Sequence, residues 1–260
     1  MKTDMRKMIL GAITALLLFP SVLFAQDEFT AIAKASLVSR YMWRGCDLAG
    51  ISLQPELTVA WKGLSLNAFA STGFEKDDMQ DLDITLSYSR WGFNIGVIDY
   101  WTANVDDKNR YFYYGGKYDC PHQLEANIGY TCKYGSIQAY TMFYGKDYKI
   151  DGNRAYSTYV ELSVPFRAGG LDWNVRAGIT PMESAGTSHK EIIMTDEGLT
   201  KTVYRGDWLY GESFTCNLAS VRATKNIECK GFNLPVFVEL HANPYLQRAN
   251  FILGISITTK

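Results

Sequence analysis

From residue 26 onward the chain alternates between apolar and polar positions. In Ile51-Ser52-Leu53-Gln54-Pro55-Glu56-Leu57-Thr58-Val59-Ala60-Trp61, one face takes Ile51, Leu53, Leu57, Val59 and Trp61, and the other takes Ser52, Gln54, Glu56 and Thr58. Successive side chains of a strand point to opposite faces, so this is a strand with one apolar and one polar side. The same period recurs at 82–88, 123–131, 156–164, 171–180 and 251–258, and more weakly near 31–44, 64–74, 92–101, 136–144, 214–224 and 234–242. About twelve strands are predicted. Past residue 26 no window holds 18 consecutive apolar residues, so no helical membrane span is expected.

The connections alternate too. One set is short and carries glycine: Lys62-Gly63, Arg90-Trp91-Gly92, Lys133-Tyr134-Gly135, Arg167-Ala168-Gly169-Gly170 and Lys230-Gly231. Such pairs suit tight hairpins. The other set is longer and polar, at 74–80, 102–119, 146–153 and 182–212. Short turns at one end and long loops at the other are the layout of an antiparallel, up-and-down transmembrane β-barrel, whose short turns face the periplasm. A sandwich or a lipocalin has the same alternation with the apolar face inward. Trp43, Trp61 and Trp173, near strand ends on the apolar face, match an interfacial aromatic girdle instead. Arg40, Glu161 and Arg176 fall mid-strand on the polar face, where only a wet lumen would accept them. The expected fold is all-β, a barrel of about twelve strands.

The first 25 residues break the pattern. Lys2, Arg6 and Lys7 precede an apolar run from Met8 to Phe19, and Ala25 stands before Gln26. This is the layout of a secretory signal peptide, so 1–25 is read as an export signal and 26–260 as the barrel domain. The 260 residues carry 26 Lys and Arg against 27 Asp and Glu, a net charge of −1. Loss of the signal removes three cations and one anion and leaves −3. A nucleic-acid binder would carry a cationic surplus, and none is present.

A family resemblance rests on Ser39-Arg40-Tyr41-Met42-Trp43-Arg44-Gly45, then Gln54-Pro55, Gly63-Leu64, Ala68-Phe69-Ala70-Ser71 and Asp81-Leu82-Asp83-Ile84-Thr85-Leu86-Ser87-Tyr88. Over roughly residues 30–100 the chain resembles the TorF-type porins, exported conserved proteins of Gram-negative bacteria held to be outer-membrane β-barrels. The resemblance implies location in the cell outer membrane and a pore, without naming a solute. The partners implied are outer-membrane lipid and lipopolysaccharide, the barrel-assembly machinery and small hydrophilic solutes.

Several side chains are candidates for the pore. Arg40 and Arg44, four residues apart on the expected first strand, share a face with Lys34; Asp81 and Asp83 share another, with Glu56, Glu125, Glu161, Asp172, Arg176 and Glu239 on polar faces elsewhere. In a lumen, Arg40, Arg44, Asp81, Asp83, Glu161 and Arg176 would set a field that biases selectivity. They could equally close into ion pairs that fill it. About eight strands leave side chains touching and 16–18 leave a channel, so twelve admits either a narrow pore or a plugged one.

Catalysis finds little support. His241-Ala242-Asn243 puts a His and an amide on one strand face, as a barrel lipid hydrolase requires, with Ser220 or Ser256 as conceivable nucleophiles; His122 and His189 lie at a loop edge and in a loop. No Gly-x-Ser-x-Gly or His-Glu-x-x-His motif occurs. No catalytic residue, metal or cofactor is assigned. Of Cys46, Cys120, Cys132, Cys216 and Cys229, the pair Cys132 and Cys229 flanks turns at one end and could form a disulfide, as could one pair among the other three. The acidic runs at 75–81 and 106–107 are read as solvated loops, with cation bridging to lipopolysaccharide the alternative. The 182–212 loop, with Trp208 and Tyr210, is expected to fold over or into the mouth.

Overall fold

The computed structural model describes residues 29–75, 78–103, 111–116, 120–194, 200–230 and 232–259. The expected signal at 1–25 and the acidic pair at 106–107 lie outside them. The elements in chain order are β1 (Phe29–Val38), β2 (Tyr41–Trp43), β3 (Cys46–Ala49), β4 (Ser52–Trp61), β5 (Leu64–Gly73), β6 (Gln80–Arg90), β7 (Phe93–Ala103) and β8 (His122–Cys132). They continue with β9 (Gly135–Tyr144), β10 (Thr158–Ala168), β11 (Leu171–Thr180), β12 (Gly186–Met194), β13 (Thr200–Trp208), β14 (Thr215–Cys229), β15 (Phe232–Asn243) and β16 (Arg248–Thr259).

Twelve of these close a barrel in the order β1-β16-β15-β14-β11-β10-β9-β8-β7-β6-β5-β4, and β4 returns to β1. Every neighbouring pair is antiparallel. Closure comes from β1, which pairs β4 on one side (Ser36 opposite Gln54) and β16 on the other (Ser36 opposite Ser256). No wall strand keeps a free edge, so the backbone groups of the wall are satisfied without water. Three of the short turns work as their sequences predict: in Lys62 and Gly63, Trp91 and Gly92, and Gly169 and Gly170, both residues take the left-handed backbone that a two-residue hairpin turn demands, with φ of 49° and 89° at Lys62 and Gly63.

Alternation decides which way each side chain points. Leu57, Ile128 and Phe251 face outward and are 51%, 59% and 64% exposed, while their neighbours Glu56, Asn127 and Ile252 face in. An exposed apolar band running round a closed sheet is stable only against lipid. Trp61, Trp91, Phe93, Tyr134 and the stacked pair Phe166 and Trp173 ring the end with the short turns. Trp61 and Trp173 therefore sit where a girdle was expected. The wall is a transmembrane barrel of the outer-membrane type.

Two hairpins stand apart from the wall, β2 with β3 and β12 with β13. The first corrects the expected strand at 31–44, which stops at Val38 before the chain bends and doubles back. Hydrophobic alternation continues through Tyr41 and Trp43, so sequence alone could not separate the wall strand from the hairpin after it. The second hairpin gives the 182–212 loop regular structure, and its base is tied down where Gly186 N–H donates to Tyr148 C=O (2.9 Å). In the neighbouring β9–β10 loop, the Asp147 carboxylate accepts from Ser157 N–H at 3.3 Å, and burial holds that carboxyl above the ordinary aspartate range.

Candidate functional site

The β2–β3 hairpin lies inside the barrel. Twelve strands tilted by about 40° enclose a Cα cylinder roughly 24 Å across, wide enough for a two-stranded ribbon beside the wall side chains. Met42 packs on an inward apolar patch of Val38, Phe237 and Ile252. Tyr41 meets Phe69 of β5 (6.2 Å between centroids), and Trp43 meets Tyr100 (5.7 Å) and Tyr210 (5.8 Å). Trp43 therefore leaves the expected girdle for the interior.

At the hairpin turn, Arg44 and Gly45 have φ of 49° and 85°. A Cβ on Gly45 would stand 2.0 Å from the Asn217 carbonyl oxygen, so close approach and left-handed backbone both require glycine here. The turn aims the Arg44 guanidinium at the far wall. It grips Glu125 of β8 with two bonds, Nη1 to Oε1 at 2.6 Å and Nη2 to Oε2 at 2.7 Å. Nη1 also donates to Tyr210 Oη (2.8 Å), while Tyr100 Oη donates to Glu125 Oε2 (2.8 Å). The cation is bracketed by the rings of Tyr140 (4.1 Å), Trp43 (4.6 Å) and Tyr159 (4.9 Å). Planar, bidentate and ring-stacked contacts together are what arginine supplies and lysine does not.

Arg40 and Arg44 thus do not share a face of the first wall strand. Arg40 occupies the bend after β1 and pairs with Asp47 across the hairpin. The other expected lumen groups do face inward. Asp81 and Asp83 are adjacent inward positions of β6, opposite Ser71 and Phe69 of β5. Glu161 accepts from Tyr159 Oη (2.9 Å) and lies 3.9 Å from Arg176. Lys34 pairs with Glu56 at 3.1 Å.

Arg176 belongs to a second cluster, one that sequence reasoning only half saw. Buried Glu239 accepts from Arg176 (2.6 Å), Arg222 (2.6 Å) and Nδ1 of His241 (3.0 Å), tying β11, β14 and β15 together from inside. Arg222 was not among the sequence candidates, although its place between Val221 and Ala223 in an alternating run marks it as inward.

The histidines do not stand as a lipid-facing barrel hydrolase would need them. His241 and Asn243 point into the lumen, away from lipid, and Ser220 opposite His241 accepts from Arg176 Nε (3.2 Å). His122 lies under Tyr114, stacked at 3.9 Å; its Nδ1 bonds Asp99 (2.8 Å) and its Nε2 bonds the Tyr111 carbonyl. Both ring nitrogens of His122 are thus occupied, leaving neither to activate a nucleophile.

All five cysteines are free thiols. The expected Cys132–Cys229 bridge is not formed: β9, β10 and β11 lie between their strands, and both side chains fall on the outward phase. Strands are about 4.8 Å apart, so the separation far exceeds the roughly 7 Å Cα limit of a disulfide. Among the described residues, no three His, Cys, Asp or Glu side chains gather as metal ligands. In the acidic run, Asp78 is a loop staple, accepting from Gly50 N–H (3.0 Å) and Glu75 N–H (2.8 Å).

Among the described residues the lumen keeps open space beside the hairpin and below it. One, about 330 Å³, lies along β14, β15, β16, β1 and β4 and is lined by Lys34, Arg176, Arg222 and Glu239 among others. The other, about 470 Å³, lies along β6 to β9 and reaches the turn end at Gly92 and Thr131.

No family model matches the chain, and no curated protein matches it. Among solved structures it is similar to an outer-membrane channel from Pseudomonas putida F1, with 13% identity and a TM-score of 0.43 over 93% of this chain and 99% of that one. It is also similar to the monoaromatic hydrocarbon channel CymD (10% identity, TM-score 0.38, 94% and 92% covered). A third is OmpF of Salmonella typhi (10% identity, TM-score 0.34, 89% and 97% covered). Likeness of this degree transfers no function.

Proposed function

We propose that the chain is a porin of the Gram-negative outer membrane, of the TorF type, which lets small hydrophilic solutes or ions diffuse passively past a constriction formed by the β2–β3 hairpin. The observation that carries this reading is a lipid-facing barrel whose polar lumen holds an inserted hairpin and still keeps open space, in one cavity against the hairpin and another along β6 to β9. The segment that resembles TorF-type porins, Ser39 to Gly45, is the segment that enters the lumen. Lipid and lipopolysaccharide would surround the wall, and the barrel-assembly machinery would insert it. The role is non-enzymatic.

One observation favours a second reading. The Arg44–Glu125 contact spans the lumen and is enclosed on all sides, so the barrel could be closed and its outer loops could carry the function. Single-channel recording in planar bilayers separates the two, using protein whose electrophoretic mobility shifts on boiling. The porin reading expects reproducible conductance steps. Folded protein that never conducts overturns it in favour of the closed barrel.

A further inference from the structure

The two lumen cavities described above differ in chemistry. The one along β14 and β1 is bordered by charges that largely satisfy one another, through Glu239 with Arg176 and Arg222 and through Lys34 with Glu56. The one along β6–β9 has no carboxylate, ammonium or guanidinium in its lining. Its walls are the hydroxyls of Ser87, Ser89 and Thr131 and the amides of Asn94, Asn127 and Gln138. Resting on the porin reading above, we propose that this charge-free cavity is a site on the solute path that selects neutral polyhydroxylated solutes of monosaccharide size.

The amides are preorganised. Asn94 and Gln138 exchange both bonds, Nδ2 to Oε1 at 3.0 Å and Nε2 to Oδ1 at 2.8 Å, and Asn94 Nδ2 also donates to Asn127 Oδ1 at 3.4 Å. Each primary amide has two N–H groups and a carbonyl with two lone pairs, so the lock leaves N–H groups on Gln138 and Asn127 for a solute's hydroxyls. A Cβ at Gly129 would stand 2.1 Å from Gln138 Oε1, so the bare wall at Gly129 is what admits the pair.

A sugar entering this space exchanges hydrogen bonds to water for bonds to hydroxyls and amides. An ion of equal size loses hydration and meets no counter-charge. The volume of about 470 Å³ falls within the range of small-molecule sites, roughly 300–1,000 Å³.

The test is swelling of proteoliposomes in isotonic glucose, gluconate or protonated glucosamine, with potassium chloride conductance recorded on the same preparations. Glucose is expected to enter at least about fivefold faster than either charged analogue. Ser87→Trp should abolish that advantage by filling the cavity. Gln138→Glu, nearly unchanged in volume, should turn the preference towards glucosamine and serves if the bulky variant does not fold. Charged analogues entering as fast as glucose through a conducting barrel would overturn the assignment and leave the porin reading intact. Swelling in no solute with no conductance would overturn both.

Discussion

Arg44 gathers more interactions than any other lumen residue described above, and its environment is specific to a guanidinium. Two bonds to Glu125, one to Tyr210 and three surrounding rings enclose it. Glu125→Gln keeps the shape and removes the counter-charge. Breaking one partner of a buried pair costs about 3–5 kcal/mol, and the hairpin can escape much of that cost by leaving the lumen. The expected outcome is a unit conductance raised by roughly twofold or more, read in planar bilayers. Glu56→Gln is the control: its pair with Lys34 is partly exposed, and little change is expected. The sequence marked Arg44 as a lumen charge. It did not place the residue on a hairpin, because Tyr41 and Trp43 continue the alternation of β1 and the bend at Ser39 and Arg40 carries no glycine or proline.

At the scale of the element, each wall strand divides its residues between lipid and lumen, and a substitution is judged by which side it falls on. Leu57 and Thr58 are neighbours on β4 with opposite directions. Leu57→Arg, near mid-strand on the lipid face, should destabilise the barrel by about 2–4 kcal/mol, whereas Thr58→Arg should cost far less. Urea unfolding in lipid vesicles measures both; equal losses would mean that the faces are reversed. The wall strands were legible because a period of two and glycine turns are local signals. The β12–β13 hairpin was not, since 182–212 mixes apolar and charged residues without a clean alternation.

At the scale of the molecule, closure of β1 on β4 and β16 sets the distances between parts remote in sequence. It separates Cys132 from Cys229 and brings Gly45 to Asn217 and Asn243. Denatured, unreduced protein should therefore react with five equivalents of a thiol reagent, the same as reduced protein. A smaller number before reduction would mean that two of these thiols are bridged, against the five free thiols of the structure.

The alternation of side chains determined the all-β class, the wall strands and the direction in which Glu56, Asp83, Glu161 and Arg176 point. The glycine pairs determined which end carries the tight turns. All of this follows from neighbours in the chain, because strand phase and turn conformation are set within a few residues. Which charges meet, that Arg44 reaches Glu125 and Arg176 reaches Glu239, and that residues 41–49 fill the lumen were decided by tertiary structure alone. Those contacts join strands far apart in sequence and depend on how twelve strands close. A pattern with period two does not encode the distance across the circle it forms.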